Sequence, residues 1–247
     1  MEVANEAVPS RSRPSRLLGP HCSRRPLRRV HGPSSLSIYS EAQAIAASEK
    51  KVLAMVSRGR DSLCTIHVLK QFVATENLIL LHLQTYPGLR YQESHLKRIE
   101  QWIGLPIEVQ PSRQNTKIRT GKLPKFAIER DYWRLHYKAD LVAFGFRADE
   151  SVSRAVIMKQ WPNGINTKSN ECYPLKRWNR AIVDVHADKI RAPMAEEYQY
   201  GFRDCGEQFT GHTAQWLHDT HPDDFETACA FDPYLAAEYA RHTGKPL

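Results

Sequence analysis

Apolar residues along the chain fall into short dense blocks separated by polar stretches of helical rhythm. Lys51 to Val56 has the length of a buried strand. From Asp61 the apolar positions Leu63, Ile66, Val68, Leu69, Phe72 and Val73 come close to helical spacing. A second strand is predicted over 77–85, "NLILLHLQT". In 91–104, Leu96, Ile99, Trp102 and Ile103 lie opposite Lys97, Arg98, Glu100 and Gln101, which predicts an amphipathic helix stopped by Gly104. Strands are expected again over 105–112 and 140–146. Strand and helix alternate, so the expected fold is α/β: a parallel twisted sheet with helices on both faces. A basic insertion from Lys117 to Tyr137 precedes the fourth strand. It carries Tyr132, Trp133, His136 and Tyr137 in an expected helix, where aromatics among cations serve either packing or base stacking. Beyond Trp161 the chain reads as loop-rich, closed by helices over 212–219 and 223–242.

Charge changes this picture at one end only. The 247 residues carry a net charge of +8. Residues 1–32 hold seven Arg against Glu2 and Glu6, a local +5, which leaves about +3 for the rest. This Pro-, Ser- and Arg-rich segment is expected to be a disordered basic tail over 1–36, either a plain extension or an arm for nucleic acid. The α/β domain is then expected over 37–205, with a helical C-terminal extension, 206–247, packed on it. No apolar stretch approaches the roughly 18 residues of a membrane span, and none near the start resembles a signal core, so a cytoplasmic protein without membrane contact is expected. The five cysteines, Cys22, Cys64, Cys172, Cys205 and Cys229, are scattered without a C-x-x-C pair. No disulfide framework, metal site or iron–sulfur cluster is expected from them. His212, His218 and His221 match no usual zinc spacing.

Between the first strand and its helix lies Ser57-Arg58-Gly59-Arg60-Asp61-Ser62. A turn that opens a helix after a parallel strand presents unpartnered N–H groups at the positive end of the helix dipole, a ready anion site. Ser57 and Ser62 add hydroxyls, Gly59 permits close approach, and Asp61 either caps the helix or orients a substrate hydroxyl. The same residues also suit an ordinary turn and N-cap.

Val56 to Ser62 resembles the S-G-G-x-D-S pyrophosphate loop of the adenine nucleotide α-hydrolase-like (PP-loop) superfamily. Three further segments agree in order. Gly145-Phe146-Arg147-Ala148-Asp149-Glu150-Ser151-Val152-Ser153-Arg154 resembles the G-x-R-x-x-E-S-x-x-R block of the phosphoadenosine phosphosulfate (PAPS) reductase-like branch. "LHLQTYPGLRYQES" stands where that branch has a strand ending in a D-T-G-like turn. "YPLKRWNRAIVDVHADKI" resembles its P-x-x-x-W-x-x-x-D-V region through Pro174, Trp178, Asp184 and Val185. Two positions depart from the pattern: Arg58 replaces a glycine, and Gln84 stands where an Asp is usual.

The resemblance implies an adenine-nucleotide enzyme working in one of two modes. In the first, the loop holds the leaving phosphates of ATP while a substrate oxygen attacks the α-phosphorus, an adenylyl transfer with Mg2+ admissible alongside. In the second, PAPS is reduced through a cysteine thiolate, Cys205 in "GFRDCGEQF", with a thioredoxin-like reductant as partner. Nucleotide binding is expected from Ser57, Arg58, Gly59, Arg60, Asp61, Ser62, Gly145, Arg147 and Arg154. Catalytic roles are expected for Asp61, Arg147, Glu150 and Cys205. A homodimer is admitted. The alternative is a degenerate cradle that binds nucleic acid or a modification complex.

Overall fold

A computed structural model describes residues 38–200 and 210–245, all within the unit Pro33–Leu247. The tail expected over 1–36 and Cys205 lie outside the described residues. The four expected strands appear as β1 (Val52–Met55), β2 (Leu78–Gln84), β3 (Ile107–Pro111) and β4 (Leu141–Ala143). Two short strands follow, β5 (Ile165–Asn166) and β6 (Glu171–Cys172). The sheet order is β3-β2-β1-β4-β6-β5, parallel except for the β5–β6 pair. The antiparallel edge departs from the purely parallel sheet expected. Its two-residue strands are too short to show an apolar rhythm.

Helix α1 (Ser40–Ala47) enters the domain, and α2 (Arg60–Phe72) follows β1. Leu63, Ile66 and Leu69 of α2 pack on Val52, Ala54 and Leu80, the inward positions of the sheet. Its Cys64 and Val68 pack instead on Trp178 and on Val183 and Ala187 of α7 (Arg180–Lys189). Buried on two sides, α2 is fixed along its length, each fully buried aliphatic side chain contributing roughly 1.5–3 kcal/mol. The Trp178 indole N–H donates to Ile38 O at 2.6 Å, so even this core ring is satisfied. Helix α3 (Arg90–Ile103) covers the same face and ends at Gly104 with φ 67°.

The opposite face is covered by α5 (Phe126–His136), whose Trp133 packs on Leu53 and Leu81. Helix α4 (Arg113–Thr120) precedes it and α6 (Val152–Met158) follows β4. The C-terminal segment forms α8 (Gly211–Thr220), α9 (Pro222–Phe231) and α10 (Pro233–Thr243). One helix was expected over 223–242. Pro233 breaks it, because proline has no N–H to donate and holds Asp232 extended, where its carboxylate caps α10. These helices share a cluster with Tyr86, Leu89 and Tyr91 of the α/β layers.

Asp224 of α9 joins the two parts by accepting from Arg90 N at 3.0 Å and Tyr91 N at 2.9 Å. It thereby caps α3 from another helix. Asp224→Ala should cost about 1–2 kcal/mol, read as a lower urea midpoint, with Asp224→Asn losing less.

Candidate functional site

The chain order along the sheet reverses between β1 and β4, and in open α/β sheets ligands bind in the crevice beyond the strand carboxyl ends at such a reversal. The segments leaving these two strands are 56–62 and 144–151, the two stretches singled out from the sequence. They meet closely. A methyl at Gly145 would lie 3.0 Å from Asp61 C and 3.1 Å from Asp61 O, a tight fit that glycine avoids where the β4 exit rests on the first turn of α2. Arg147 bridges the crevice, its Nε 2.6 Å from Asp61 Oδ1.

Arg147 is buried and gathers three carboxylates. Besides Asp61, its Nη1 donates to Asp149 Oδ1 at 2.9 Å, and Glu150 Oε1 lies 3.6 Å from Nε. Glu150 also pairs with Arg154, whose guanidinium stands 4.3 Å over the Phe146 ring. Arg60 pairs with Asp184, which is 3.0 Å from Arg180 Nε, and Arg180 N donates to Asp149 Oδ2 at 2.9 Å. The result is one alternating network of four arginines and four carboxylates. Burial raises the Asp61 carboxyl above its ordinary range, and Arg147 and Arg180 only partly offset it. Burial also opposes ionisation of Asp184, but the hydrogen bonds and charges of Arg60 and Arg180 prevail and hold it below the ordinary range.

The loop residues divide by direction. Asp61 turns to Arg147 rather than capping its own helix, and Gly59, the N-cap, carries no side-chain cap. Ser62 donates its hydroxyl back to Gly59 O at 2.7 Å and braces the turn. Ser57 is exposed at the mouth. Arg58 adopts φ 60°, the left-handed conformation that a glycine takes without strain, at a cost of roughly 1–2 kcal/mol. Its side chain leaves the cradle. It is 7% exposed, bonds Glu197 Oε1 at 3.1 Å and stands 5.5 Å over the Tyr91 ring. Arg58 is therefore a buried strut beneath the loop.

Five participants lacked an assignment from sequence. Asp149, Arg180 and Asp184 stood inside motif segments without a role, and Glu197 and Tyr198 lie in a segment without periodicity. Tyr198, in a 3-10 turn over Glu196–Tyr200, places its hydroxyl 3.4 Å from Arg60 N. The same oxygen would be 3.3 Å from a methyl at Gly59. It occupies the mouth of the α2 amino end.

The cysteines among the described residues suit no thiolate chemistry. Cys64 is core, as its apolar position implied, and burial pushes its thiol up to about 12. Cys172 is fully buried and likewise raised, and burial pushes Cys229 up to about 11. No cluster of three or more His, Cys, Asp or Glu side chains arranged to hold a metal ion occurs among the described residues. No helix among them is long and apolar enough to cross a membrane.

No protein-family model matches the chain, and no curated protein matches it in sequence. Solved structures do. The U34-tRNA thiolase NcsA from Methanococcus maripaludis is 14% identical over 79% of this chain and 77% of that one, with TM-score 0.45. PAPS reductase from Candida auris is 12% identical over 70% and 90%, with TM-score 0.49. The NH3-dependent NAD synthetase from Campylobacter jejuni is 13% identical over 86% and 97%, with TM-score 0.43. All three are PP-loop superfamily proteins, the group that the motifs resemble. The architecture is a Rossmann-like α/β fold, a mostly parallel sheet covered by helices. Likeness this distant says nothing of the reaction. It does correct one expectation: the thiolase is described with its 4Fe-4S cluster. Scatter of cysteines along a sequence is no ground for setting such a cluster aside, because distant thiols converge when a chain folds.

Two predictions follow from the floor of the loop. Glu197→Ala would leave Arg58 buried without its carboxylate and should cost about 3–5 kcal/mol, measured by urea unfolding. His82 donates Nδ1–H to Val56 O at 2.7 Å, and His95 donates Nε2–H to Pro193 O at 2.7 Å. Burial first, with the Arg58 charge nearby, pushes both down to about 4. Their neutral forms support the fold fully above the ordinary histidine value of about 6.5. Below it the unfolded chain takes up protons that the fold excludes, so stability should fall progressively from pH 6.5 towards 4. A flat urea midpoint between pH 7 and 5 would contradict this.

Proposed function

We propose that the chain binds an adenine nucleotide by its phosphates at the crevice between β1 and β4, and uses ATP for adenylyl transfer. The observation that carries this reading is the amino end of α2. It lies at the reversal point of the sheet without a side-chain cap, with a displaceable tyrosine hydroxyl at its mouth. Backbone N–H groups of Gly59, Arg60 and Asp61, with the Ser57 hydroxyl, would hold the β,γ-phosphates. A substrate oxygen attacks the α-phosphorus and the bond to the bridging oxygen breaks. Pyrophosphate leaves and the substrate carries AMP.

The arginine–carboxylate network supports a role in charge control. Arg147 and Arg154 are held in place before ligand arrives, so an incoming phosphate competes for them with Asp149 and Glu150 rather than ordering them anew. Asp61, with its raised affinity for a proton, is suited to accept one from an attacking hydroxyl. Sulfonucleotide reduction through Cys205 is the competing chemistry. It requires a thiolate at Cys205, which lies outside the described residues.

Incubation with α-labelled ATP and with labelled PAPS, with and without a thioredoxin, tests the reading. Release of labelled AMP or adenylated product from ATP alone, unchanged in Cys205→Ser, is expected. Thioredoxin-dependent release of sulfite from PAPS, abolished in Cys205→Ser, would overturn it. Arg147→Ala should lower kcat/KM by about 100-fold or more. Tyr198→Phe removes the hydroxyl that occupies Arg60 N–H, and should tighten ATP binding several-fold in a calorimetric titration.

A further inference from the structure

Helix α5 has apolar residues on two faces, and only one is used. Trp133 turns to the sheet and is buried. Ile128, Tyr132 and Leu135, spaced four and three residues apart, form a second stripe and are 60%, 59% and 64% exposed. Phe126 lies on the other side of the helix, its ring 5.5 Å from that of Phe144. Beside this stripe a slot of about 300 Å3 opens between α4 and α5, walled by Pro111, Pro124, Ile128, Tyr132 and Trp133. Tyr132 and His136 lie nearly parallel, 18° apart, with Trp133 edge-on beneath Tyr132. Tyr132 and His136 are both exposed and together offer an aromatic platform on α5.

The surroundings of the platform are cationic. Residues 113–138 hold eight Lys and Arg against Glu129 and Asp131, an excess of six positive charges. All the residues after 32 together carry only about +3, so the body outside this segment is net negative by about three. Lys117, Arg119, Lys122 and Lys125 are exposed, and among the described residues none of them pairs with a carboxylate. Such concentration on one surface is not the mixed pattern of a solvated face. A second copy of the chain would bring like charges together across a two-fold axis, which opposes self-association here. An acidic peptide would satisfy the charge but leave the aromatic plane without a matching planar group.

We infer that the α4–α5 surface binds single-stranded nucleic acid. Bases stack on Tyr132 and enter the neighbouring slot, while phosphates run along Lys117, Lys122 and Lys125. Pro111 and Gln84 end β3 and β2 at the sheet edge where the loop after β1 also lies, because these strands are parallel. The surface is distinct from the basic residues of 1–32, and binding here does not depend on the reaction proposed above.

The test uses the full chain and a short fluorescein-labelled oligouridylate, followed by anisotropy over a range of salt. Lys122→Ala and Lys125→Ala should each reduce the slope of log K against log salt by about 0.7. Tyr132→Ala should weaken binding about tenfold and leave that slope unchanged, since stacking is not ionic. Photocrosslinking of a 4-thiouridine oligonucleotide to the unsubstituted chain provides a readout free of any folding defect. Crosslinks within 113–138 are expected. Absence of binding, crosslinks confined to 1–32, or binding indifferent to Tyr132 and both lysines would overturn the inference. So would poly-glutamate displacing the oligonucleotide in a manner that depends on Tyr132.

Discussion

The ion pair between Asp61 and Arg147 is the contact on which the site depends. It joins the first turn of the central helix to the segment leaving the neighbouring strand, across the one place where the sheet order reverses. Gly145 brings the two segments close there, its α-carbon resting against the Asp61 backbone. Once the pair forms, Asp61 is withdrawn from capping α2, and the helix keeps its amino end available to an outside anion. Arg147 in turn gathers Asp149 and Glu150, and the network reaches Asp184 and Arg60 on the other wall. Local helix chemistry, sheet topology and site electrostatics thus share a single pair of side chains.

The loop carries a second consequence of the same geometry. Its second residue must adopt a left-handed backbone, and an arginine does so against its own steric preference. The strain is tolerated because the Arg58 side chain reaches Glu197 and Tyr91 in a buried layer that also holds His82 and His95. Glu197 precedes Tyr198. The strut that supports the loop from below thus adjoins the tyrosine at its mouth.

The four parallel strands, their helices and the two segments of the crevice were legible in the sequence. β1, β2 and β4 are dense apolar blocks, and α3 has one clear apolar stripe. Gly145, Arg147, Glu150 and Arg154 were found as a motif, and the structure brings them to the loop after β1. What escaped the sequence was direction and distance. Nothing local says that Arg58 turns inward or that Ser62 bonds its own turn. Tyr198 and Glu197 are more than a hundred residues from the loop they touch, and Asp224 caps a helix from another element. The outward stripe of α5 was invisible for a different reason. Periodicity reports that Ile128, Tyr132 and Leu135 share a face, but not which face meets the sheet.

Phosphate would be held by backbone N–H groups at the start of α2, and amide chemical shifts report on them directly. Titration of isotopically labelled protein with ATP should shift the amide resonances of Gly59, Arg60 and Asp61 saturably and ahead of those elsewhere in the fold. Saturation with those three amides unmoved, or shifts centred on a different strand end, would contradict the account.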